Sequence, residues 1–97
     1  MRFEWNMDKD AENKKIHKVS FQEACSVFAD SYMLSKFDKD HSDDEDRWTT
    51  MGDTGDKMLV VTHTFRTTND VESVRIISAR GATTEERRQY ASRRKKL

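Results

Sequence analysis

The stretch MLVVTHTFRTTNDVESVRIISAR, Met58 to Arg80, reads as two β-strands joined by a tight turn. In its first half, Leu59, Val61, His63 and Phe65 share one face, and Val60, Thr62, Thr64 and Arg66 share the other. In its second half, VESVRIISAR is rich in β-branched residues and suits a central strand. Thr67 to Asp70 supplies the turn-formers between them. Upstream, Asp53-Thr54-Gly55-Asp56 separates RWTTMG from MLVVTHTFR, so Arg47 to Arg66 predicts a hairpin of its own. The last three strands then form an antiparallel meander.

The flanks add helices. After the meander, Thr83-Thr84-Glu85-Glu86 matches a capping box and opens a C-terminal helix with Arg87, Tyr90, Ala91 and Arg94 along one side. Near the start, Phe3 and Trp5 alternate with polar neighbours as in a short strand, and Asp8 is placed to cap a polar helix running to about His17. Ser20-Phe21-Gln22-Glu23 is a second capping box, followed by Phe21, Ala24, Cys25 and Phe28 at helical spacing. SYMLSKF, Ser31 to Phe37, reads as a further strand, and KDHSDDED after it as an exposed loop. The order βααββββα predicts an α+β fold: one domain over residues 1–97, a small antiparallel sheet with two N-terminal helices and one C-terminal helix.

A chain of 97 residues, 34% hydrophobic and 37% charged, has a small core and little stability to spare. One cysteine, Cys25, allows no internal disulfide and no paired-cysteine metal knuckle. Neither an export-signal core nor a run of apolar residues long enough to span a bilayer is visible, which predicts a soluble, cytoplasmic protein with no membrane partner. Zero net charge hides a separation. Asp38 to Lys57 holds eight acids against three bases, whereas Arg75 to Leu97 holds eight bases against two acids. A dipolar chain of this kind presents one basic surface to a phosphate backbone, or simply two solvated faces.

Motifs exclude several chemistries. There is no HExxH pair, and DKDHSDDED lacks the glycine and terminal glutamate of a calcium loop, so no metal and no cofactor is expected. Three glycines are too few for phosphate-cradling loops. What remains are His63 inside a hydrophobic strand, His17 after the first helix, Glu45, and three arginines, Arg47, Arg75 and Arg80, at or within strands. A mid-strand histidine is either a hydrogen-bonded core residue or faces an open sheet. Half-buried arginines need anions, drawn from the protein's own carboxylates or from an external phosphate. His41, in the acidic loop, reads as solvent decoration.

Four segments, NKKIHKVSFQEACSVFAD, DHSDDEDRWTTMG, LVVTHTFR and RIISARGATTEERRQY, resemble in that order the motifs of BrnT, the ribonuclease toxin of the bacterial BrnT/BrnA type II toxin-antitoxin system. The likeness runs from about Phe3 to Tyr90, and its pattern falls on Trp5, His17, Phe21, Glu45, Arg47, Trp48, Gly52, Arg75, Ser78, Arg80, Ala82, Thr83, Arg87 and Tyr90. The resemblance implies a RelE-like fold, cleavage of RNA that halts translation, and a ribbon-helix-helix antitoxin, BrnA, assembled with the toxin as a heterotetramer. Two positions depart from it: a basic residue before the histidine and a glycine after it are here Ile16 and Lys18. Without the glycine, the first helix is expected to end differently.

Metal-independent RNA cleavage uses the 2′-hydroxyl as internal nucleophile and needs a proton acceptor, a proton donor and cations around the phosphate. On that chemistry, His63 or Glu45 is the expected base, His17 the acid, and Arg47, Arg75 and Arg80 the charge-stabilising groups. Arg66, Arg87, Arg88, Arg94 and Lys15 are the expected contacts to the RNA backbone. The rival readings are a noncatalytic nucleic-acid-binding module, which stacking aromatics on an exposed sheet would favour, and a protein-interaction domain.

Overall fold

The computed structural model describes residues 1–96. The elements are β1 (Arg2–Glu4), α1 (Met7–His17), α2 (Phe21–Cys25), β2 (Leu34–Phe37), β3 (Trp48–Asp53), β4 (Met58–Thr68), β5 (Val71–Gly81) and α3 (Thr84–Lys96), in the order the sequence predicts. Short 3₁₀ segments occupy Ser26–Ala29 and Lys39–His41. The fold is α+β.

The five strands form one sheet in the order β1-β5-β4-β3-β2. β2 through β5 are an antiparallel meander, but β1 lies parallel to β5, so the sheet is mixed rather than purely antiparallel. The meander leaves the outer edge of β5 open. β1 takes that edge and turns Phe3 into the helix-covered face, where it meets Phe28 at 5.4 Å between ring centroids. The β4–β5 turn is tighter than the sequence reading. Asn69 and Asp70 alone form the loop, both at positive φ (51° and 63°), the conformation a two-residue hairpin requires and one that these side chains tolerate.

Helices pack on both faces. Phe21, Ala24 and Val27 close over Val61, Leu59, Val74, Ile76 and Ala79 on one face, while Tyr90 of α3 packs with Met51 and Val60 on the other. Both capping boxes form: Ser20 with Glu23, and Thr83 with Glu86. The first helix is capped by Asn6, whose side chain accepts from the amides of Asp8 and Lys9, and not by Asp8. It still ends left-handed without the glycine, because Lys18 itself adopts φ 61°. The strand expected from Ser31 begins only at Leu34, since Ser31 and Tyr32 lie in a turn.

A register shift fixes the faces of β5. Thr62 pairs with Ser78 and His63 with Ile76, leaving Ile77 as an extra residue. Simple alternation would put Arg75 and Arg80 on opposite faces. The bulge brings Arg75, Ser78 and Arg80 to one face and sends Val74, Ile76 and Ala79 into the core on the other. On β3, Gly52 is needed for closeness: a Cβ there would stand 2.9 Å from Val27 Cγ1 and 3.0 Å from the Val27 carbonyl oxygen. Gly52→Ala is expected to lower stability by about 2 kcal/mol through overpacking, read as a lower urea midpoint at unchanged slope.

Candidate nucleic-acid site on the open face of the sheet

α3 covers only part of its face. Beyond it, cross-strand partners place Glu4, Arg75 and Thr64 in one row and Arg2, Ser73 and Arg66 in the next. Arg47 immediately precedes Trp48, the partner of His63, and so comes opposite Thr64. The row is held there because the Arg47 carbonyl accepts from the Asp38 amide at 2.8 Å. With strands about 4.8 Å apart, Arg47 and Arg75 flank Thr64 at a span of about 10 Å, and Arg66 lies two residues along on the same face. Thr64 is 1% exposed and its hydroxyl oxygen has no hydrogen-bond partner among the described residues.

Two of the three guanidinium groups at this site lack an ion pair among the described residues. Arg47 and Arg75 are half-buried and make no ion pair among the described residues, and Arg66 has only Glu4 at 3.8 Å, both of them well exposed. A hollow of about 560 Å³ is lined by Arg47, Arg66, Glu45, His41, Asp40, Asp43 and Asp44. The loop that carries its acidic and imidazole groups is tied down at its base. Ser42 Oγ donates to the Asp38 carbonyl and accepts from the Arg47 amide at 3.0 Å. Both Asp38 carboxylate oxygens lie 3.1 Å from His41 Nδ1, which orients the ring and leaves Nε2 without a partner among the described residues. His41, read from the sequence as solvent decoration, thus lines this hollow. Its signal was spacing: it stands just before the capped base of the loop, four residues ahead of Glu45 and six ahead of Arg47.

The other candidate residues lie elsewhere. Arg80 is on the same face but is held by Glu86 in a two-pronged pair at 2.8 and 2.9 Å, and the guanidinium hydrogen bonds pull the Glu86 carboxyl down to about 2. His63 is on the opposite face, 0% exposed, with Nε2 2.7 Å from Thr50 Oγ1 and its ring edge-on to Phe28. Burial pushes its pKa down to about 4. His17 shares a second hollow, about 650 Å³, with Lys18, Lys57 and Arg87 at the far end of the sheet. The six residues of β3 separate the two hollows by about 17 Å, so the structure does not bring His17 to Glu45 and Arg47. Lys15 is exposed on α1. On α3, Arg88 faces Glu85 at 3.8 Å, and Arg94 lies over the Tyr32 ring at 4.7 Å.

Among the described residues, no three His, Cys, Asp or Glu side chains are grouped to hold a metal ion, and no helix is long and apolar enough to cross a membrane. The open face can do two things: clamp a phosphate between three arginines, and move protons through a carboxylate and an imidazole beside it. The family described as the ribonuclease toxin BrnT of a type II toxin-antitoxin system matches residues 5–86. Comparison with the curated proteins finds no match. The matched span takes in every strand from β2 to β5, with Arg47, Arg66 and Arg75, and the chain belongs to the BrnT family of ribonuclease toxins.

Proposed function

We propose that this chain cleaves RNA without a metal ion, on the face where Arg47, Arg66 and Arg75 surround Thr64. The observation that carries this reading is that Arg47 and Arg75, on either side of Thr64 with Arg66 beside them, make no ion pair among the described residues, over a buried hydroxyl that lacks a partner there too. A phosphodiester is the size and charge that such a cradle accepts. The 2′-oxygen attacks phosphorus as the bond to the 5′-oxygen breaks, leaving a cyclic phosphate and a 5′-hydroxyl. Glu45 takes the 2′-hydroxyl proton, and His41, oriented by Asp38, returns one to the leaving oxygen. The arginines stabilise the charge that builds on the phosphate.

Arg80 works as a positioning residue, fixing the start of α3 through Glu86, and Arg87, Arg88 and Arg94 with Lys15 gather RNA by charge alone. Under this reading the fold is RelE-like, the protein acts in the cytoplasm, and a ribbon-helix-helix antitoxin binds it as a heterotetramer to restrain it.

The test is incubation of purified protein with single-stranded RNA in excess EDTA. Chelator-resistant cleavage is expected, reduced about tenfold or more in Arg47→Ala and in Arg75→Ala, with thermal unfolding unchanged. Cleavage abolished by EDTA would remove the metal-independent mechanism. Binding without cleavage would leave a noncatalytic RNA module.

A further inference from the structure

The face opposite the arginines carries an uncovered aromatic row. Phe37, Trp48 and Phe65 come from three neighbouring strands, with ring centroids 5.3 Å apart for the first pair and 6.1 Å for the second. α2 and the turn after it stop at Phe28 and His63, so the row continues past the helices into solvent, with Phe37 and Phe65 each 46% exposed. A contiguous apolar row across three strands, rimmed by charge, is the kind of surface on which a partner docks.

Two features decide what docks. First, the loop joining Phe37 to Trp48 contains Asp38, Asp40, Asp43, Asp44, Glu45 and Asp46, a carboxylate rim fused to the end of the row. Such a rim attracts cationic side chains. Second, neighbouring rings meet at 75° and 67°, so the row is corrugated and offers no common plane for stacked bases. Grooves between tilted rings instead receive aliphatic side chains.

The geometry points to this surface as the docking site for a basic protein segment, apolar on one side, whose aliphatic side chains enter the Phe37–Trp48–Phe65 row while its cations meet the loop. The same loop also walls the arginine hollow on the other face, so an occupant would bear on the position of the groups at the proposed cleavage site. That consequence rests on the ribonuclease reading, whereas the docking itself does not.

The test uses calorimetric titration of the whole chain with three probes: a short amphipathic peptide of leucine and lysine, its leucine and glutamate counterpart, and oligo-uridylate. Binding of the lysine peptide alone at this surface is expected, weakened by added salt and by about tenfold or more in Phe37→Ser/Phe65→Ser and in Asp43→Asn/Asp44→Asn/Asp46→Asn. RNA cleavage by the aromatic double variant should equal that of the parent. Equal binding of the glutamate peptide, or undiminished binding by both variants, overturns the proposal. So does loss of oligo-uridylate binding or of cleavage in the aromatic variant at unchanged thermal stability, since the row would then belong to the RNA site. If the parent does not cleave RNA, the ribonuclease reading fails while the peptide titration still decides the docking one.

Discussion

Asn13→Leu is expected to lower the unfolding free energy by about 4 kcal/mol, in a chain whose length supports roughly 5–10 kcal/mol in all. β1 pairs only with Ser73 to Arg75, so β5 continues past it with an open outer edge. There the Asn13 side-chain amide takes the place of a strand. Its Nδ2 donates to the Ala79 carbonyl at 2.8 Å and to the Val19 carbonyl at 2.9 Å, and its Oδ1 accepts from the Ala79 amide at 3.1 Å. Leucine keeps the same branched heavy-atom skeleton and has better helix propensity, so α1 itself is little changed. What it leaves is one buried donor and two buried acceptors with no partner, each costing about 1–3 kcal/mol. The midpoint of thermal unfolding should fall by roughly 20 °C, and the urea midpoint should fall with it at unchanged slope. A loss under about 1 kcal/mol would mean that water replaces the amide at this edge.

Asn13 also explains why the N-terminal helix was hard to read. α1 has almost no apolar stripe, and its only buried residue is that asparagine. It is held by polar side chains: Asn13 to β5, and Asp10, whose carboxylate accepts from the Phe21 amide at 2.8 Å and so steadies the start of α2. Hydrophobic periodicity carries no mark of such attachments, because an asparagine in a charged helix looks the same whether it faces solvent or a strand edge. By contrast, α2, both capping boxes and both hairpins depend on neighbours within a few residues. Those were legible.

The site divides along the same line. Arg47, Arg66, Arg75 and Glu45 were identifiable as charged groups at strand ends and inside strands; Arg47, Arg66 and Glu45 line one hollow, and Arg75 lies on the same face as Arg66. That Arg75 and Arg80 share a face was beyond any alternation rule, since it depends on the one-residue bulge at Ile77. The partner of Arg80 was hidden differently. Glu86 was assigned to the helix cap, and it does cap Thr83, but its carboxylate also holds the guanidinium. The parallel placement of β1 follows from which sheet edge the meander leaves free, a property of the assembled sheet and not of RFE as a segment.

Acid should weaken the fold well above the usual carboxylate range, because of His63. The imidazole is enclosed by Phe28 and Phe65 at 4.9 and 5.1 Å and touches one polar group, the Thr50 hydroxyl, which in turn bonds Ser35 at 2.8 Å. Nδ1 is buried without a partner among the described residues. A bare lone pair there costs less than an orphaned N–H, so the neutral ring with its proton on Nε2 fits the site and the imidazolium does not. Burial moves the pKa from 6.5 down to about 4. The unfolded chain therefore takes up a proton first. Stability is complete above pH 6.5, declines as pH falls toward 4, and gains no further loss from this group below that, where both states are charged. The interval corresponds to about 3 kcal/mol. Glu86, held at about 2 by Arg80, acts in a separate window below its ordinary 4.5, so the two contributions are resolved along the pH axis. Urea titrations of the parent and of His63→Phe between pH 7 and pH 4 test this directly. The parent should lose about 3 kcal/mol over that range, and the variant, whose ring still fills the space between Phe28 and Phe65, should lose little until the carboxylates titrate. Parallel loss in both proteins would place the acid sensitivity on another group and leave His63 without a role in it.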